Sequence, residues 1–77
     1  MPYTVEEIVK ILSIRAQTES LSLSEEALGY LGALGARTSL RYGVQLLSPA
    51  SIYASTQGRQ QIEQEDLEVI NSLFFDS

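Results

Sequence analysis

Thr4-Val5-Glu6-Glu7-Ile8-Val9-Lys10-Ile11-Leu12-Ser13-Ile14-Arg15-Ala16-Gln17 is the stretch that decides the fold class. Thr4 and Glu7 stand at the spacing of a capping box, in which the hydroxyl serves an orphan amide and the carboxylate reaches back. Tyr3 and Ile8 occupy the two positions of a hydrophobic staple across the same start. Behind them Val5, Ile8, Val9, Ile11, Leu12, Ile14 and Ala16 recur at helical spacing and cover more than half of a helical wheel, leaving Glu6, Lys10, Ser13 and Gln17 as the polar strip. The spacing predicts a helix that starts near Val5. An apolar arc this wide exceeds what one packed face uses, so the edge carrying Ile11 and Ile14 is expected to make a second contact.

Three more helices follow by the same reasoning. Leu21-Ser22-Leu23 is too short for a strand but fits an extended segment with both leucines inward. Ser24 caps the second helix, expected from about Glu25 to Leu34, with Glu25 and Glu26 in the turn where the helix dipole favours acids and Leu23 placed to staple onto Leu28. Ala27, Leu28, Leu31 and Leu34 form its buried stripe, and Gly35 falls where a left-handed stop is expected. Gly29 and Gly32 cost helix stability, about 1 kcal/mol each relative to Ala, and close helix approach is their expected reason.

Thr38 or Ser39 caps the third helix, which carries Leu40, Val44, Leu47, Ala50 and Ala54 in register. Pro49 either kinks this helix or ends it near Leu47, with a restart from Ser48 as cap. Gly58 terminates the element. Gln60-Gln61-Ile62 is a second extended piece able to lie beside Leu21-Leu23, and Glu63 to Asp66 begin the fourth helix, whose core face is Leu67, Ile70, Leu73 and Phe74. The fold class is all-α, a small four-helix bundle with two short extended segments.

Composition narrows the chemistry. Seventy-seven residues make one small domain, which removes only about 60% of its unfolded surface from water, so stability is expected to be low. The chain has no Cys and no His, which excludes a disulfide scaffold, a thiol nucleophile, a zinc cluster, haem ligation and a histidine base. A formal charge of −5 repels a phosphate backbone, so direct nucleic-acid binding by this chain is not expected. The longest apolar runs are a few residues, against the roughly 20 that cross a bilayer, and no signal peptide is visible. No membrane association is expected.

Few residues carry chemistry. Glu25-Glu26 and Glu65-Asp66 are paired carboxylates, but both pairs sit in first turns, where dipole complement and solvation explain them better than acid-base catalysis. Gly29, Gly32 and Gly35 do not have the spacing of a phosphate or dinucleotide loop. The tyrosines have no basic interleaving, and packing is the better reading for three of them. Arg41 is out of place: it falls in the first turn of the third helix, the positive end, where a cation is disfavoured. An anion shared between the helix amides, a cap hydroxyl and the guanidinium would compensate; a solvated arginine, or one paired with a nearby Glu, is the other reading.

Pro2-Tyr3, Ile14-Arg15-Ala16-Gln17-Thr18-Glu19, Ser24-Glu25-Glu26-Ala27-Leu28 and above all Thr38-Ser39-Leu40-Arg41-Tyr42 with Val44-Gln45-Leu46-Leu47-Ser48-Pro49-Ala50 resemble the C-terminal lid of the eukaryotic and archaeal RuvB-like AAA+ ATPases. The likeness runs from Pro2 to Ser77, the span of the expected domain, and Ile14 to Glu19 and Ser48-Pro49-Ala50 are closer to the Pontin branch than to Reptin. Walker A, Walker B, the first sensor and the inserted oligonucleotide-binding-like domain of that family are absent. The resemblance therefore implies a parent protein whose ATPase core lies upstream of Pro2, with Met1 an added start.

By that resemblance the chain is the lid and sensor module of a hexameric ATPase of the DNA helicase family, not a complete enzyme. Arg41 would be the second sensor reaching the nucleotide phosphates, and Tyr3, Ile11 and Leu40 would touch the nucleotide, ATP or ADP, with Mg in the full-length protein and no cofactor within the fragment alone. Many AAA+ lids have Gly two residues before the sensor arginine; this chain has Ser39, which agrees with the RuvB-like pattern. The implied partners are its own AAA+ core, neighbouring hexamer subunits, and chromatin-remodelling and chaperone-type assemblies in the nucleus and cytoplasm. A non-enzymatic helical adaptor with Arg41 incidental is the alternative of a different class, and the lid of a bacterial branch-migration motor is a further one.

Overall fold

The computed structural model describes residues 3–75, so Pro2, Asp76 and Ser77 at the limits of the expected domain lie outside the described residues. Four helices follow one another: α1 (Val5–Thr18), α2 (Glu25–Arg37), α3 (Leu40–Thr56) and α4 (Gln64–Phe75). The capping box forms as its spacing requires, with the Glu7 amide donating to Thr4 Oγ1 at 3.1 Å and the Thr4 amide to Glu7 Oε1 at 2.9 Å. Ser24 caps α2 through a 3.1 Å bond from the Ala27 amide. Among the described residues there is no strand. Leu23 and Ile62 instead form one parallel bridge, secured by Ile62 N–H to the Ser22 carbonyl (2.8 Å) and Ser24 N–H to the Ile62 carbonyl (3.1 Å).

Ile8, Leu12, Ala27, Leu31, Leu34, Leu46, Leu47, Ala50, Ile62, Leu67 and Ile70 fill the core, drawn from all four helices and the bridge. Tyr30, Tyr42 and Tyr53 pack half-buried against it, as the packing reading of three tyrosines expects. The α1–α2 crossing is close because Gly32 has no side chain: a Cβ there would fall 2.3 Å from Val9 Cγ2. Gly29 faces open space, so close approach explains Gly32 and not Gly29.

Two expectations change, and the alternative left open at Pro49 is decided. Gly35 does not stop α2; it is buried within the helix, where a Cβ would meet Ile8 Cγ2 at 3.2 Å, so tertiary approach and not termination fixes it. The helix ends one turn later at Thr38, whose amide and hydroxyl both donate to the Leu34 carbonyl, at 3.0 and 2.7 Å. Pro49 does not divide α3, which is one helix over 17 residues with no restart at Ser48. An interior proline costs about 3 kcal/mol, and burial of Leu46, Leu47, Ala50 and Ala54 on either side of it offsets that loss.

Leu73 and Phe74 are not core residues but are 65% and 47% exposed. Arg59, just beyond the end of α3, pairs with Asp66, and Tyr42 near its start bonds Asn71. Leu73 and Phe74 belong to the last turn of α4, beyond both pairs. Val5 is exposed as well, and on the opposite side of α1 Ile14 is exposed and Ile11 half-buried, which leaves the Ile11–Ile14 edge open.

Helices α1 and α3 end alike. Ser20 (φ 59°) and Gly58 (φ 78°) take the left-handed conformation, and the next amides, Leu21 and Arg59, bond back to the Ala16 and Ala54 carbonyls at 2.7 and 2.9 Å. This is the Schellman ending; glycine adopts it without strain and Ser20 does so at some cost. Gly58 thus terminates α3 as its sequence position suggests.

Candidate functional site

Two residues join α2 to α3. Thr38 closes the first helix and Ser39 opens the second, its hydroxyl accepting the Tyr42 amide at 3.0 Å. Arg41 is therefore the second residue of α3, exposed, in a first turn without an acidic residue. No carboxylate of the described residues pairs with it. Of the two readings of a structural Arg41, the pairing with a nearby Glu is not made. What the turn presents to solvent is a planar fork of donors beside the free amides of a helix start, and such a surface binds an anion.

Of the other residues singled out by resemblance, Leu40 lies next to Arg41 and is half-buried against the core. Leu12 sits against the position of Gly43, 3.5 Å from where a Cβ would stand, so the middle of α1 crosses α3 one turn after its start. That crossing brings Ile11, the neighbour of Leu12, to the same end of the molecule as Leu40 and Arg41. Tyr3 is 43% exposed and precedes α1, roughly 9 Å or more of helix away from Ile11. Leu40 thus adjoins Arg41, Ile11 lies on the part of α1 that crosses α3, and Tyr3 stands at the far end of α1.

Tyr42 and Asn71 belong to this region although the sequence offered no signal for their pairing, since 29 residues separate them. The Tyr42 hydroxyl donates to Asn71 Oδ1 at 2.8 Å. Burial, with Tyr30 nearby adding to it, holds this phenol above its ordinary pKa. Beside the bond is a cavity of about 330 Å³ lined by Leu34, Arg37, Thr38 and Asn71.

A second charged cluster stands at the opposite end of α3. Asp66, read above as a solvated first-turn acid, is fully buried. Its carboxylate accepts the Glu63 amide at 2.8 Å and the Arg59 guanidinium, which also approaches Glu65 at 3.5 Å. The hydrogen bond to Asp66 raises the Arg59 pKa further above its usual range, against a smaller effect of burial. Asp66 is the third residue of α4 and Glu63 precedes the helix, so the amide bond is the reciprocal half of a capping box. The available signal was Gly58-Arg59 ahead of an acid at that position. This cluster closes the α3–α4 connection and offers no open group for chemistry. Among the described residues, no group of three His, Cys, Asp or Glu could hold a metal ion, and no helix is long and apolar enough to cross a membrane.

Comparison with known proteins follows the same lines. The sequence profile of the TIP49 AAA-lid domain matches residues 11–76. RuvB-like helicase 1 of Yarrowia lipolytica is 49% identical over 77 residues, covering 100% of this chain and 17% of that protein. RuvB-like protein 1 of Arabidopsis thaliana is 51% identical over 75 residues, or 97% of this chain and 16% of that one. RuvB-like helicase 1 of Schizosaccharomyces pombe is 48% identical over 77 residues, again 100% against 17%. The chain spans about one sixth of the length of these relatives.

Proposed function

The chain belongs to the TIP49 AAA-lid domain family, and from that premise we propose that it acts as the lid and sensor module of a RuvB-like AAA+ ATPase, with Arg41 reaching the phosphates of a nucleotide held by the ATPase core. The observation that carries this reading is the state of Arg41. It is exposed, it has no carboxylate partner among the described residues, and it stands in a first turn whose dipole disfavours a cation unless an anion joins it.

The surroundings fit a nucleotide. Leu40, next to Arg41, offers apolar surface suited to a base or sugar, Ile11 would add to it from α1, and Tyr3 would reach the same molecule only along its length. Bound ATP, with Mg, supplies the phosphoryl group that passes to water. The contribution of this chain is to cover that nucleotide and to place a fixed charge where negative charge redistributes during transfer. The open edge of α1 with Ile11 and Ile14 supports docking on the chain's own AAA+ core. Membership of the family further supports a hexameric helicase as the parent, with neighbouring subunits and chromatin-remodelling and chaperone-type assemblies as partners in the nucleus and cytoplasm. In this reading the chain is a module of the ATPase and not the whole of it.

The test is ATP turnover by the full-length protein. Arg41→Ala should lower turnover on the order of a hundredfold, the size expected when one preorganised charge-stabilising donor is lost, while nucleotide binding weakens much less. Arg41→Lys should restore part of the loss, because a point charge on a flexible stem does not reproduce the fork. Wild-type turnover in Arg41→Ala would rule out the sensor role.

A further inference from the structure

Arg41 can act on a phosphate only if the first turn of α3 holds its azimuth, and its immediate neighbour fixes that turn from the side. Successive helical residues are about 100° apart, so while Arg41 points to solvent Tyr42 points across to α4. There its hydroxyl donates to Asn71 Oδ1 at 2.8 Å. The remaining ties of this turn are local: Ser39 caps it, and Thr38 bonds back to Leu34 in α2. Among the described residues, the Tyr42–Asn71 hydrogen bond ties this turn of α3 to α4. Asn71 also lines the 330 Å³ cavity, together with Leu34, Arg37 and Thr38.

We propose that Tyr42 and Asn71 are positioning residues for Arg41: the bond between them locks the rotation of the first turn of α3 and thereby the direction of the guanidinium. The proposal rests on the sensor reading of Arg41. Neither residue touches the nucleotide. Their effect is on the rate, because a misplacement of about 1 Å at a reacting centre can cost on the order of a hundredfold.

In the full-length ATPase, Tyr42→Phe keeps the ring and removes only the hydroxyl. Turnover should fall about fivefold to tenfold, a fraction of that misplacement cost since the turn keeps its caps, with the nucleotide KM within about twofold of wild type. Asn71→Leu, similar in size and without the acceptor, should do the same. The decisive readout is the double variant: Tyr42→Phe added to Arg41→Ala should cost nothing further, since there is no guanidinium left to aim. An additional fivefold loss in that background would show that the bond supports the lid generally and would overturn the proposal. So would wild-type turnover in Tyr42→Phe while Arg41→Ala is impaired. Wild-type turnover in Arg41→Ala itself would remove the sensor reading, and the positioning role with it. Should Asn71→Leu fail to fold, Tyr42→Phe carries the test alone.

Discussion

Arg59 stands beside the first turn of α4 and Arg41 within the first turn of α3, yet the two turns are built in opposite ways. The α4 turn is acidic and closed. Its buried Asp66 accepts both the Glu63 amide and the Arg59 guanidinium, so the positive end of the helix and a nearby cation share one carboxylate. The α3 turn has no acid and is open; its cap is a neutral serine hydroxyl, and its arginine faces water without a partner among the described residues. A helix start that needs a negative charge finds it internally in one case and not in the other. The difference separates an arginine that the fold uses from one that it leaves available to a second molecule.

That contrast can be broken at the closed turn first, where the effect should be largest. Asp66→Ala removes a fully buried carboxylate with its bonds and should cost about 2 kcal/mol, lowering the Tm of the 77-residue chain by roughly 10 °C in a circular dichroism melt. Arg59→Ala should lower it further still, because the carboxylate then stays buried without its cation. If neither substitution moves the melt, the closed turn is not structural and the contrast fails.

A smaller loss is expected at the open turn's cap. Ser39→Ala should destabilise the chain by about 1 kcal/mol, read from the same melt, since the Tyr42 amide loses its acceptor. Smallest of all is Arg41→Ala, which should leave the melt unchanged or raise stability by some tenths of a kcal/mol, because a cation leaves the positive end of a helix. A drop comparable with Ser39→Ala would mean that Arg41 belongs to the fold.

Much of this architecture is legible in local chemistry. The Thr4–Glu7 box, the Ser24 and Ser39 caps, Gly58 and the pairing of Leu23 with Ile62 all rest on residues within a few positions of one another or on short apolar pieces of matching length. What escapes depends on which helix faces which. Gly35 looks like a stop until Ile8 is seen against it, and Leu73 and Phe74 look like core until they are seen exposed in the last turn of α4. Pro49 leaves a kink and a break equally open because its cost is local, whereas the burial that outweighs it comes from other helices. Within the site, the misplacement of a cation in a first turn singles out Arg41 from physics alone, and the roles of Tyr3, Ile11 and Leu40 came only by resemblance. The Tyr42–Asn71 bond joins two ordinary polar residues far apart in the chain, and neither composition nor periodicity marks such a pair.

The most direct measurement sets the two arginines side by side: Arg41→Ala and Arg59→Ala, each assayed for ATP turnover in the full-length protein and for thermal stability in the 77-residue chain. Arg41→Ala should lose on the order of a hundredfold in turnover with its melting temperature unchanged or slightly raised, and Arg59→Ala should melt well below wild type. An Arg41→Ala protein that turns over ATP at the wild-type rate while its lid is destabilised by more than about 1 kcal/mol would contradict the assignment, since Arg41 would then be a packing residue.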